Sequence, residues 1–598
     1  MTQVFTFKNL SSVVTVPLLA TVMVACAPPD APSLGAATGE SASTAGGVAA
    51  PLSDAAFNAL PIDTQYKVVN KLLSSVYNGM PVDEFYNVSG GTAMNYRRDS
   101  SFTLSELRKS MQTPLSPEQK AELDSQIVGD EDRLDEQGQS APLEARFKFD
   151  VNRPKQMPLA RIFHYPISRD AYSQWMAWHL ANTILFSPAE EIDSADITDV
   201  QNLFRRLDLQ IMDRRSIRDI VSAHQRSVEN WRRFRSPEDN TREMIEIYLG
   251  LFDKDDDVPN ASQACRDLYL TDESQGYKLA FTDFPNAEPV LVLDQYVTNC
   301  SDFYDVIAGH PLLIPRVVSV LVDYFFSESP IDERLEMTAA ITDSNPQTFE
   351  DVFNTILFSA RYLLDTERAK SIEEAYLGTA KRMNWDAHPD VFKGMVSGRG
   401  ALSRTDMREM GWSPMSFKLG RVSSVPLDSL SFGNYHKALR ETLMLDKKRW
   451  RDALGLEKPS VPDPAPIEPP DQDASLRDKA AYEADLKRYQ LEVDALAPDV
   501  RREYDSALAL YQEKSDHYGL IDDMNTAELV DYLFLTIIER RATTTERNAL
   551  TRIYADEGHL DPDFSNVFAR SGRQDEIAQI TFDYLSRLPE TYYLQSLR

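Results

Sequence analysis

Glu238, Arg242, Glu243 and Glu246, in the stretch SPEDNTREMIEIYLG (236–250), are spaced so that one helix face gathers them. Carboxylates beside a guanidinium can move protons or hold a divalent cation. A secreted hydrolase or metal-dependent enzyme built on this face is therefore one reading. The other is the solvated back of an amphipathic helix. Ser236 is a good N-cap, Pro237 suits the first helical position, and Glu238 and Asp239 meet the positive end of the dipole. Gly250 stops the helix. At about 100° per residue, Met244, Ile245, Tyr248 and Leu249 fall largely opposite the charges. Arg242 is within reach of Asp239 and Glu246, so the face can also satisfy itself with ion pairs.

Other chemistry is sparse. There is no G-x-S-x-G elbow, S-x-x-K, H-E-x-x-H, phosphate-binding glycine pattern or C-x-x-C-H. The eight histidines include no pair three or four residues apart, which leaves no local zinc motif and no metal ligand to assign. DKDDDVPNASQA, from Asp253, starts like a calcium loop with acids at its first, third and fifth positions. It has Val258 where the turn needs glycine and Ala264 where a bidentate Glu belongs, so a loose divalent-cation contact competes with a plain acidic turn.

Three cysteines divide into one and two. MTQVFTFKNLSSVVTVPLLATVMVAC carries Lys8, then an uncharged, mostly apolar stretch, as a secretory signal does. Its ending, Met23-Val24-Ala25-Cys26, is similar to a bacterial lipobox, with Cys26 the lipidated first residue of the mature chain. A plain signal with a chance cysteine is the alternative. Ala27 after that cysteine favours the outer membrane, on the periplasmic or surface side. Cys265 and Cys300 remain, an even pair in an oxidising compartment, to be joined as a disulfide or kept as two buried thiols.

The formal charge is −30 over 598 residues, and removing Lys8 with the signal makes it −31. Nucleic acid and anionic lipid are poor partners for such a surface, whereas divalent cations or basic protein surfaces fit it. Acidity also keeps an exported protein soluble without any partner. No apolar run of about 18 residues follows the signal.

The elements that must position these groups are mainly helical. The signal occupies 1–25, and 26–52 is an Ala, Gly, Ser, Thr and Pro tether. Residues 53–150 form a broken helical region in which Val68, Val69, Leu72, Leu73 and Val76 keep a helical period until Gly79 and Pro81 end it. Residues 151–456 are a helical core, with helices expected at 168–186, 196–212, 215–232, 237–249, 260–270, 311–327 and 347–364. Within it, YKLAFTDFPNAEPVLVLDQY suggests one small β-hairpin around Pro285-Asn286. A proline-rich linker spans 457–474, and a C-terminal helical unit fills 475–598, opening with an αα-hairpin split at Pro498.

SPEDNTREMIEIYLGLF, followed by DVPNASQACRDLYL, resembles the core motif of domain of unknown function 1800, a family of exported bacterial proteins. Glu238, Arg242, Glu243 and Glu246 fall on its matching positions. SIRDIVSAH and DFYDVIAGHPLLIPRVVSVLVDYFF also fit, and ILFSARYLLDTERAKSIEE fits more loosely, for a span of about 165–450. Asp239-Asn240 replaces the family's Asn-aromatic pair, and TDFPN stands where many members show His-Asp. The family has no established activity. What the resemblance implies is an exported protein whose Arg-Glu face is at least partly buried. A lipid-anchored envelope protein, binding or assembling with another envelope protein, is the expectation.

Overall fold

The structure is a computed structural model. It describes residues 47–87, 97–98, 102–128, 156–181, 183–185, 197–234, 236–273, 276–282, 288–383, 475–494, parts of 500–512, 524, 526–556 and 574–598. The signal, Cys26 and most of the tether, the acidic stretch from 129, Pro498 and the proline-rich linker lie outside the described residues.

The fold is mainly helical, with a few short antiparallel strand pairs. Helix Ile62–Ser75 buries Tyr66, Val68, Val69, Leu72 and Leu73. It ends before the expected stop, and Gly79 has a different task. A Cβ there would lie 2.6 Å from Arg382 Cγ and Gly378 O, so the residue's bareness lets helix Ile372–Arg382 come close. Elsewhere the apolar period found its helices, but several expected segments are divided or shortened, the one over 347–364 being Phe349–Leu357 followed by a π-helical turn at Arg361–Asp365. The 215–232 segment breaks into Ile217–Gln225 and Val228–Arg233, because Ser227 turns its hydroxyl to accept from Asn230 N (3.3 Å) and caps a new helix. The helix expected over 260–270 is Val258–Cys265, since Leu268–Glu273 pairs as a strand with Gly276–Phe281.

That pairing opens a β excursion with two hairpins. Leu268–Glu273 with Gly276–Phe281 comes first, then Val290–Val292 with Gln295–Val297, turning at Leu293-Asp294. Pro285-Asn286 is thus not the turn of a single hairpin. It falls between the two, among the residues not described. Cys265 closes the helix before the excursion and Cys300 opens Cys300–Gly309 after it, and the two are joined as a disulfide.

One apolar cluster runs from Leu52 to Tyr592 and draws on both ends of the described chain. Segments beyond the proline-rich stretch pack into it: Arg368–Ala369 pairs with Tyr593–Leu594, and Leu597 N donates to Leu364 O at 2.7 Å. Among the described residues, no single helix is long and apolar enough to cross a membrane. Cys300–Gly309 and Leu313–Phe325 reach that length only together, across a 65° bend, and their apolar residues belong to the core.

Candidate functional site

Helix Pro237–Leu249 forms as its ends dictate. Ser236 Oγ accepts from Asp239 N (3.1 Å), and Gly250 takes the left-handed conformation at φ 70° with its N–H on Glu246 O (3.0 Å). Met244, Ile245, Ile247, Tyr248 and Leu249 are buried. On the outer face Glu238 is open, while Arg242, Glu243 and Glu246 are half-buried. Arg242, 36% exposed, ion-pairs with Glu238 (3.6 Å) and with Asp255 of the acidic turn. The hydrogen bond to Asp255 holds its guanidinium above the usual arginine range. Partial burial pushes the Glu246 carboxyl up, while the Arg242 charge pulls it back.

The same contacts decide the calcium-like turn. Asp255 is taken by Arg242, Asp257 accepts from Leu293 N (3.1 Å), and Val258 begins a helix in place of the loop's middle. Among the described residues, no three His, Cys, Asp or Glu side chains are placed to hold one metal ion.

A second constellation carries far more buried charge. The Arg368 guanidinium is 2% exposed and grips Glu374, which is 0% exposed, through both carboxylate oxygens. It also donates to Tyr362 OH (3.0 Å) and lies 5.0 Å from the Tyr324 ring centre. Burial works against its charge, but Glu374 holds the group well above the ordinary arginine value. Glu374 has a local duty too: its carboxylate accepts from Ser371 N (2.6 Å) in a capping box that starts Ile372–Arg382. Around this pair three cations reach across the chain. Lys71 donates to Thr366 O and to Gln595 O (3.0 Å). Arg382 donates to Ser74 Oγ (2.7 Å) and Ile537 O (3.1 Å), and meets Glu539 at 3.2 Å. Lys370 donates to Glu590 O (3.3 Å). Burial lowers Lys71 to about 7 and Lys370 to about 8, and raises the carboxyl of Glu373, also buried here, to about 7. The cluster is a clasp: it ties helix Ile62–Ser75, the 361–382 segment and the C-terminal strand together through hydrogen bonds to carbonyls. Sequence reading passed over these residues, although Ser371-x-x-Glu374 is a legible capping box. Nothing local marks Arg368 or Lys71 as buried.

The third feature is the stapled excursion. Every aromatic side chain exposed among the described residues lies between 252 and 296: Phe252, Tyr269, Phe281 and Tyr296, the last two 70% and 76% exposed. Leu291, paired across its hairpin with Tyr296, is exposed as well. Exposed acids share this segment, namely Asp253, Asp255, Asp256, Glu288 and Asp294. The disulfide joins the two helices that bracket the hairpins, and Leu268, Val292 and Val297 pack the base of the excursion into the core.

No protein-family model matches this chain, and no curated protein or solved structure is significantly similar to it.

Proposed function

We propose that this is a lipid-anchored bacterial envelope protein that acts as a binding or assembly module, held to the outer membrane through Cys26. Its partner is an envelope protein with a basic surface, received on the stapled excursion. The observation that carries this reading is that the exposed aromatic side chains among the described residues are Tyr269, Phe281 and Tyr296 on that disulfide-braced excursion and Phe252 shortly before it, with exposed acids among them. Tyr and Phe supply contact area at small entropic cost and are enriched at protein interfaces. Their faces attract Lys and Arg, as do the neighbouring carboxylates, so one chemistry recurs across the surface. The leader ending in Ala25-Cys26 supports both the anchor and export. The rival reading, a hydrolase or metal-dependent enzyme on the 237–249 face, gains little from an Arg242 committed to Glu238 and Asp255.

Photo-crosslinking in intact cells tests the docking. A photoreactive phenylalanine analogue at Tyr296 or Phe281 is expected to trap one envelope protein that the same probe at exposed Leu335 does not. Equal trapping at all three positions would refute it. Fatty-acid labelling tests the anchor, which is wrong if the label survives Cys26→Ala.

A further inference from the structure

The chain's charge is −30, yet residues 205–235 hold nine arginines against four carboxylates. Arg205, Arg206 and Arg226 of this stretch line an open groove between helix Ile197–Met212 and the turn at 226–229. The groove offers about 710 Å³, in the range of small-molecule sites.

Two of its guanidinium groups are fixed in advance. Arg206 donates to buried Glu229 (2.9 Å), and its Nε is buried with no hydrogen-bond partner among the described residues. Arg226 donates to Ser301 O (2.8 Å) and Asp305 (2.6 Å), and stands 5.6 Å from the Tyr304 ring centre. Arg205 differs: it is exposed and makes no ion pair among the described residues. Among the described residues, three positive charges therefore face two carboxylates, Glu229 and Asp305, which leaves one charge for an anion. Groups held in place before binding lose little freedom when a ligand arrives.

We propose that this groove binds a phosphate ester, with Arg205 and Arg206 as its oxyanion donors and Arg226, whose terminal N–H groups are taken by Ser222, Ser301 and Asp305, adding positive charge on the opposite wall. A carboxylate has two oxygens and is filled by a single guanidinium fork. A phosphate monoester has three terminal oxygens and up to two negative charges, more than one fork fills, and a diester adds polar ester oxygens to its two terminal ones, which suits cationic walls on two elements. Leu209, 54% exposed at the rim, offers apolar surface to the ester's organic part. The ester comes either from a soluble phosphorylated molecule or from a lipid headgroup. The site is separate from the aromatic excursion and does not rest on the docking reading.

Calorimetric titration of the full mature chain tests it with two probes. Glycerol 3-phosphate represents a soluble monoester. Glycerophosphoglycerol represents a diester headgroup freed of its acyl chains, so that the anchor does not interfere. Saturable binding of either probe is expected, weakening as salt rises. Arg205→Gln is expected to weaken it about tenfold or more, the scale of one charge-assisted hydrogen bond. Leu209→Glu, which sets a like charge at the rim, should weaken it as well, whereas Arg215→Gln, an exposed arginine outside the groove, should not. Both groove substitutions sit on exposed side chains, so folding is unaffected. Preference for the monoester identifies a soluble ligand, and preference for the diester identifies the headgroup. No binding of either probe, or binding indifferent to Arg205→Gln and Leu209→Glu, overturns the proposal.

Discussion

Arg368→Met is the sharpest probe of how this fold is closed. Met keeps much of the apolar stem and removes the guanidinium. Glu374, fully buried, still accepts from Ser371 N but loses both bonds from Arg368, and Tyr362 OH loses a donor while retaining its bond with Ser75. A buried carboxylate stripped of its cation costs about 3–5 kcal/mol, a large part of a typical total stability. The double substitution Arg368→Met with Glu374→Gln removes the stranded charge and leaves an amide oxygen for the capping box. Replacing both members of a buried pair is commonly near neutral, so the double variant should recover most of the loss. Urea unfolding of wild type, both single variants and the double variant closes the cycle, with unchanged slopes as the condition for comparing midpoints. If Arg368→Met costs under about 1 kcal/mol, or the double variant is no better than Arg368→Met alone, the clasp argument fails.

Three further outcomes are expected. Removing the disulfide with Cys265→Ser and Cys300→Ser frees a loop of sequence separation 35 and should lower stability by about 3–4 kcal/mol in urea melts; a change below about 1 kcal/mol would contradict the bracing role. Between about pH 7 and pH 10 stability should rise, because buried Lys71 and Lys370 lose their protons near 7 and 8 while the unfolded chain holds them up to about 10.5. Thermal melts across that window check it. Lys71→Met should flatten the rise, and a profile unchanged by that substitution rules Lys71 out as its source. Gly250→Ala places a side chain at φ 70° with its Cβ 3.2 Å from Arg316 Cδ, and should cost about 1–2 kcal/mol; an unchanged unfolding midpoint would refute the strain.

Much of the architecture is legible in the sequence where a rule acts within four residues. Ser236, Pro237 and Gly250 bound their helix because each satisfies or ends backbone hydrogen bonds made by near neighbours. The apolar period of Ile62–Ser75 finds its buried face for the same reason. Cysteine number, once Cys26 is read as lipidated, leaves a pair that the structure joins. Reading failed where a partner lies far along the chain. The 260–270 stretch is half strand because 276–281 returns to pair with it, a contact that no helical period registers. Arg242 takes Asp255, thirteen residues on, and does so because the acidic turn folds back beside the helix. The clasp is the extreme case: Arg382 donates to the carbonyl of Ile537 and Lys71 to that of Gln595. An arginine or lysine looks the same in sequence whether water or protein surrounds it. Composition and spacing therefore decided that these groups are charged. Only the closing of distant segments over them decided that they are dry, and dryness is what turns a solvated charge into one that must be paired.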